Sequence, residues 1–241
     1  MIDLASVELG KKAAAAMALS FVDSGMVVGL GSGSTATFFI RLLSEKINNS
    51  GLRVSCVPTS SVTERLAKSL KITLTTLDKV HSVDLTVDGT DEFDPNLNLI
   101  KGGGGALLQE KIVAKASRHI VVITDSSKES FYLGGYDLPV EVVRFGANFT
   151  KNVIYEILRN LGYTNFTVQY RRTNDQEKFV TDEGHFIFDL SLKSIIDVEE
   201  LNNSLIACTG VVETGLFLGM ADTIIVGNSD GSCKLIGASK I

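Results

Sequence analysis

Short runs of consecutive apolar residues alternate along this chain with longer segments in which apolar residues recur every three or four positions. The runs are Met26–Leu30, Val54–Val57, Val83–Val87 and the almost unbroken β-branched stretch His119–Thr124. The periodic segments are residues 4–22, Ser34–Asn48, Ser61–Leu70 and Ala106–Ala116. In the first of these Val7, Ala14, Ala18, Phe21 and Val22 share one face, and the second carries Phe38, Leu42 and Leu43. That periodicity predicts helices. Continuous apolar strands alternating with helices predict a parallel sheet covered on both faces.

The texture changes around Gly134-Gly135. Val140–Val143 is a predicted strand, and Lys151–Leu161 a predicted amphipathic helix with Val153, Ile154, Ile157, Leu158 and Leu161 in register. Two further strands, Lys178–Thr181 and His185–Leu190, flank Asp182-Glu183-Gly184, a hairpin signal. A helix over Asp197–Ile206 completes a βαββα pattern, and Asp222–Val226 and Cys233–Ile236 again read as strands. The expectation is an α/β main domain over 1–133 plus 207–241, interrupted by a small α+β domain over 134–206.

Composition narrows the class. With 241 residues, 44% of them hydrophobic, 21% charged and 3 prolines, the chain has the makings of compact domains with real cores. The net charge of −5 and the lack of a basic stripe argue against nucleic acid as a partner. Cys56, Cys208 and Cys233 sit in or beside apolar runs with no CxxC pair, which reads as free thiols in a reducing compartment. His81, His119 and His185 lack ligand spacing, so no metal site is expected. The start of the sequence, with Asp3 and Glu8, is not that of a signal peptide, and no 18-residue apolar run is present. A cytoplasmic location is the expectation.

The chemistry concentrates in Lys101-Gly102-Gly103-Gly104-Gly105-Ala106-Leu107-Leu108-Gln109-Glu110-Lys111. Consecutive glycines contribute no side chain to a core, but they let backbone N–H groups approach a ligand closely at a helix start. Upstream, Asp88-Gly89-Thr90-Asp91-Glu92-Phe93-Asp94 gathers carboxylates after a strand. A lysine, a glutamate one turn into a helix and two aspartates around such a loop form an acid–base inventory. Gly29-Leu30-Gly31-Ser32-Gly33-Ser34-Thr35 lacks the third glycine spacing of a dinucleotide fingerprint and the lysine of a P-loop. Its hydroxyls at a helix N-terminus suit a phosphomonoester, although a plain turn capped by Ser34 is also open. Ser32–Thr35, Asp88–Asp91 and Asp125–Lys128 each follow a strand, where ligands of open α/β sheets bind.

These motifs resemble ribose-5-phosphate isomerase, type A, over essentially the whole chain. The resemblance is carried by Gly29–Ala36, Val87–Phe93, Lys101–Ile112, Thr124–Lys128, Leu138-Pro139-Val140-Glu141 and Gly210–Phe217. It implies a Rossmann-like main domain, a ferredoxin-like small domain, and a homodimer or dimer of dimers. It also implies metal- and cofactor-free interconversion of ribose 5-phosphate and ribulose 5-phosphate in the pentose phosphate pathway. Ser32, Gly33, Ser34 and Thr35 match one substrate loop; Asp88, Gly89, Thr90 and Asp91 match a second; Lys101, Gly102, Gly103 and Gly104 match a third. Glu110 matches the proton acceptor, and Lys128 a further substrate contact. Thr209, where a proline is frequent, and His185, where an asparagine is frequent, depart from the family pattern.

An aldose–ketose isomerisation through an enediolate needs a carbon base and donors for oxygen charge. Glu110 fits the base and Lys101 the electrophile; Asp88 and Asp91 fit the positioning or deprotonation of hydroxyls, with Asp88 assisting ring opening. Two other classes fit the architecture. A sugar-phosphate deaminase or coenzyme A transferase would call for different loop chemistry, a histidine in the deaminase case. A sugar-phosphate sensor would call for a DNA-binding region.

Overall fold

A computed structural model describes residues 4–237. The chain runs through α1 (Leu4–Ala18), β1 (Val27–Leu30), α2 (Gly33–Ser50), β2 (Ser55–Pro58), α3 (Ser61–Ser69) and β3 (Leu85–Asp88). The short strands β4 (Glu92–Phe93) and β5 (Leu99–Ile100) precede α4 (Leu107–Lys115), β6 (Ile120–Asp125), β7 (Leu138–Val142) and α5 (Ala147–Asn160). Then come β8 (Thr167–Tyr170), β9 (Phe186–Ser191), α6 (Val198–Ile206), β10 (Val211–Thr214), β11 (Leu216–Phe217), β12 (Thr223–Gly227) and β13 (Cys233–Gly237). No helix among the described residues is long and apolar enough to cross a membrane.

Two compact units share these elements. The first holds residues 4–90, Gln109–Glu129 and 220–237; the second holds Asp91–Leu108 and Ser130–Gly219. The first is the Rossmann-like α/β unit. Its sheet has the order β2-β1-β3-β6-β12-β13, parallel throughout except for β13, which runs against β12. β3, β6 and β12 are buried at every position, as expected of parallel strands covered on both faces. Their Leu85, Val87, Val121, Ile123 and Ile225 pack with Ala14, Ala15 and Ala18 of α1 and with Phe39, Ile40 and Leu43 of α2. Phe38 and Leu42 are only partly buried at the margin of this core. After β2 the chain returns to the other side of β1 to form β3, so the strand order reverses between β1 and β3. In open sheets of this kind, that reversal opens the crevice in which ligands bind.

The second unit holds a four-stranded antiparallel sheet, order β10-β7-β9-β8, with α5 and α6. Its chain order βαββαβ and this strand order make it a ferredoxin-like α+β unit. Leu138, Val140 and Val142 of β7 meet Ile154 and Leu158 of α5 and Leu201 and Leu205 of α6 in one core.

Two expectations are corrected here. Lys178–Thr181 is not a ladder strand. It contributes an isolated bridge from Lys178 to Arg172 and a turn in which Gly184 N–H donates to Thr181 O at 2.9 Å. Besides β7, β9 pairs with β8, whose only buried residue is Val168, so that strand carries almost no apolar signal. The expected domain limits also shift. β10 lies beyond Ile206 and pairs with β7, so the small unit extends to Gly219. It also takes in Asp91–Leu108, because β5 pairs with β11 on one side and β4 on the other in a three-stranded antiparallel ribbon. Glu92 anchors that ribbon by accepting the N–H groups of Gly134 at 2.8 Å, Gly135 at 3.1 Å and Tyr136 at 3.2 Å.

The two departures from the family pattern also fall in this unit. His185 Nδ1 lies 3.0 Å from Oε1 of the fully buried Glu141, which also accepts from Thr181 Oγ1 at 2.9 Å. Burial raises the Glu141 carboxyl above its usual range, and these two partners pull it back. Thr209 makes an isolated bridge to Val211, next to Gly210 with φ +100.

Candidate active site

β1 delivers the turn Gly31–Thr35 to the C-terminal edge of the sheet, and α2 starts from it at Gly33. Ser32, not Ser34, occupies the N-cap position, and its side chain makes no cap bond. Instead, Ser32 Oγ joins a hydroxyl cluster with Thr59 Oγ1 at 2.9 Å, Ser60 Oγ at 2.8 Å and Thr63 Oγ1 at 3.2 Å. Without a side-chain acceptor from Ser32, the opening turn of an 18-residue helix keeps its N–H groups and positive dipole end for an anion. Ser34 is exposed there, and Lys11 Nζ of α1 donates to Ser34 Oγ at 3.0 Å. Lys11 was not among the residues expected from sequence. It stands 23 positions away on a helix, where a lysine pair looks like a solvated face.

β3 ends at Asp88, whose side chain is buried against the same turn. Its Oδ1 accepts Ser32 N–H at 3.1 Å and Gly89 N–H at 2.7 Å. The approach is close enough to exclude a side chain on Gly31, since a Cβ there would lie 2.1 Å from Asp88 Oδ1. Gly89 is buried; a Cβ on it would come 3.8 Å from Ser32 O and 4.0 Å from Thr35 Cβ. Thr90 follows, half-buried. β6, on the far side of β3, ends in a tight turn over Ser126–Lys128, where Asp125 Oδ1 accepts Ser127 N–H at 3.0 Å. Lys128, half-buried, closes that turn. Three neighbouring parallel strands thus present Ser32–Thr35, Asp88–Thr90 and Lys128 at one edge. Glu110, also in the first unit, is buried at 5% exposure in the opening turn of α4. Val113, one turn further along α4, packs with Val57 and Val83.

The remaining expected residues belong to the second unit. Asp91 N–H donates to Ile100 O at 2.9 Å, and Asp91 Oδ2 accepts Gly103 N–H at 2.7 Å. Lys101, continuing from β5, is 4% exposed; its N–H donates to Gly215 O at 2.9 Å. Lys101 Nζ lies 5.5 Å from the centroid of the Phe217 ring, a cation–π distance. The glycines that follow serve two ends. Gly102 has φ +101, and a Cβ on Gly103 would fall 2.5 Å from Tyr136 Oη and 2.7 Å from Asp91 Oδ1. Gly104 is exposed with open space beside it, so nothing within the protein requires a glycine there. The acidic loop is not a solvated cluster. Asp88, Glu92 and Asp94 are buried and Asp91 is half-buried; Asp94 accepts Asn96 N–H and Asn98 N–H at 2.9 Å each. No group of three or more His, Cys, Asp or Glu side chains suited to a metal occurs among the described residues.

In chemical terms, the first unit carries a helix N-terminus with Lys11 and the buried Asp88 against it, and elsewhere Lys128 and the buried Glu110; the second carries a buried ammonium followed by a shaped run of peptide N–H groups. Comparison with known proteins gives this inventory a family. The sequence profile of Ribose 5-phosphate isomerase A (phosphoriboisomerase A) matches residues 55–231, more than half of the chain. Ribose-5-phosphate isomerase A of Dinoroseobacter shibae is 49% identical over 233 residues, covering 97% of this chain and 89% of its own. Ribose 5-phosphate isomerase from Plasmodium falciparum superposes with a TM-score of 0.89 at 36% identity, covering 96% of this chain and 98% of its own. A D-ribose-5-phosphate isomerase solved in complex with phospho-erythronic acid gives a TM-score of 0.88, again at 36% identity, over 96% of this chain and 99% of its own. Matches of this extent, on a chain whose strand ends carry these loops, show that it is an isomerase and belongs to the ribose 5-phosphate isomerase A family.

Proposed function

We propose that this chain interconverts D-ribose 5-phosphate and D-ribulose 5-phosphate through an enediolate, without a metal ion, as a step of the non-oxidative pentose phosphate pathway. The observation that carries the reading is the meeting of Asp88 with the Ser32 turn where β1 and β3 diverge. There an acid is built into a helix N-terminus left without a side-chain cap. The phosphate sits on the first-turn N–H groups of α2 and the hydroxyls of Ser34 and Thr35, with Lys11 and Lys128 supplying charge. The phospho-erythronic acid held by a solved relative is a sugar acid bearing a phosphate, which supports a site of this class.

With the ring opened, assisted by Asp88, the substrate is an aldehyde with a hydroxyl on C2. Glu110 as carboxylate takes the proton from C2, and the electron pair moves into a C1–C2 double bond while charge develops on O1. Lys101 and the glycine-loop N–H groups stabilise that charge. A proton passes from O2 to O1, assigned to Asp91 or Asp88. Glu110 then returns its proton to C1, leaving a ketone at C2 and a CH₂OH at C1. We further propose a homodimer or dimer of dimers located in the cytoplasm, as the resemblance implies.

Two results test the reading. Turnover of ribose 5-phosphate is expected to survive exhaustive chelation, because the ammonium of Lys101 stabilises the charge that a metal ion stabilises in other isomerases. Loss of activity with chelator and recovery with a divalent cation would overturn that role. Ribose without phosphate is expected to lose kcat as well as affinity, since remote binding energy is used to align C1 and C2. Equal kcat for the two sugars would show that the α2 turn is not a phosphate site.

A further inference from the structure

The glycine run Gly102–Gly105 has little intrinsic shape, and a run of glycines samples many conformations unless something external fixes it. In the second unit that something is Arg171, which follows β8 and lies 68 and 69 positions along the chain from the glycines it touches. Its Nη1 donates to Gly102 O and also to Gly103 O, the latter at 3.1 Å. Its Nε donates to Asp189 Oδ2 at 3.0 Å, and its Nη2 to Asp189 Oδ1. The side chain is 13% exposed, and Arg171 N–H is itself tied to Ile187 O at 2.8 Å. The guanidinium is therefore locked by a two-point carboxylate pair on β9 and turns its remaining edge onto two consecutive peptide carbonyls.

Peptide planarity gives this grip a consequence. In a trans peptide the C=O of one residue and the N–H of the next point in opposite directions. Holding Gly102 O on Arg171 turns the Gly103 N–H away from it, and that N–H is the one donated to Asp91 Oδ2 at 2.7 Å. Holding Gly103 O in the same way turns the Gly104 N–H away from the guanidinium, at the exposed and sterically open residue of the loop. Tyr136 closes the near side. Burial and Asp91 raise its hydroxyl above the ordinary tyrosine range, while Arg171 opposes that rise. Gly103, Gly135, Tyr136, Asp137, Arg171 and Asp189 line one cavity of about 410 Å³.

We propose that Arg171, fixed by Asp189, is a positioning residue of the isomerase reaction. It sets the Gly102–Gly104 peptide planes so that the Gly104 N–H is presented as a preorganised donor to the developing oxygen charge. This rests on the reading of the loop as part of the isomerase site. Lysine cannot replace the arginine. Its single nitrogen has three donors and no planar fork, so it cannot serve two carbonyls and a bidentate carboxylate together.

The test uses the full chain with Arg171→Lys and, separately, Asp189→Asn. Wild-type turnover of ribose 5-phosphate is measured first, because its absence would sink the functional reading and leave the loop geometry aside. Given an active wild type, Arg171→Lys is expected to lower kcat by about 10- to 100-fold with KM within about a factor of three, the split left by a misplaced transition-state donor. Amide hydrogen exchange at Gly103 is expected to accelerate in the same variant, a readout that a general loss of stability would spread over the whole unit. Asp189→Asn, close to isosteric, is expected to show the same pattern with a smaller fall and carries the test if Arg171→Lys does not fold. Unchanged kcat in either folded variant would overturn the proposal. So would a kcat loss that only tracks the unfolded fraction, or unchanged exchange at Gly103.

Discussion

Glu110→Gln is expected to lower kcat by roughly 10²–10⁴, about 3–5 kcal/mol of transition-state stabilisation, while leaving KM for ribose 5-phosphate close to wild type. The size follows from what the change removes. Glutamine keeps the volume and hydrogen-bonding capacity of the side chain at a position that is 5% exposed, so α4 and its packing through Val113 should persist. What disappears is a basic oxygen for the C2 proton. Asp94→Asn serves as the contrast. Asp94 accepts Asn96 and Asn98 N–H groups and shapes its own loop, so its replacement should act on thermal stability and leave kcat near wild type. Steady-state kinetics with thermal melts for both variants checks the pair. Near-normal kcat in folded Glu110→Gln would remove Glu110 as the base and send the search to Asp88 and Asp91.

Lys101→Met is expected to cost about 10²–10³ in kcat, the scale seen when one donor to a developing oxyanion is lost. Methionine fills nearly the same volume in a site where Lys101 is 4% exposed and lies over Phe217. The backbone anchor from Lys101 N–H to Gly215 O does not depend on the side chain, so the loop entry should hold. A thermal melt of the variant separates this loss from any loss of folded protein, since kcat is read per folded molecule. A variant that keeps its kcat would show that the ammonium plays no part in stabilising the enediolate.

Much of the first unit was legible because its central strands β3, β6 and β12 are buried at every position. A strand buried on both faces writes itself as a continuous apolar run, as Ile120–Ile123 of β6 and Ile224–Val226 of β12 do. The same property placed the loops, since residues following parallel strands face one edge. The second unit was harder to read. β8 buries only Val168, and β4, β5 and β11 are two residues each, too short for any periodicity to register. Those short strands nonetheless decide that Asp91–Leu108 belongs with the α+β unit.

The chemistry was legible where residues cluster in the chain and silent where they meet only in space. Asp88 and the Ser32 turn lie 56 positions apart but announce themselves through their own motifs. Lys11 and Arg171 have no local signal: one reaches its loop from the middle of α1, the other from the residue after β8. The glycine run pointed to a close approach from outside, and part of that approach is internal. Gly103 makes room for Tyr136 and Asp91, and only Gly104 is left open.

The most direct test of Glu110 as the single carbon base follows deuterium. Ribose 5-phosphate is incubated in D₂O with chelated enzyme, and the ribulose 5-phosphate formed is read at C1 by NMR. A single carboxylate working on one face should place deuterium in one C1 position only, with some protium carried over from C2 within the active site. Glu110→Gln, with binding intact, should give neither product nor C2 exchange. Equal labelling of both C1 positions, or C2 exchange that persists in Glu110→Gln, would contradict the account.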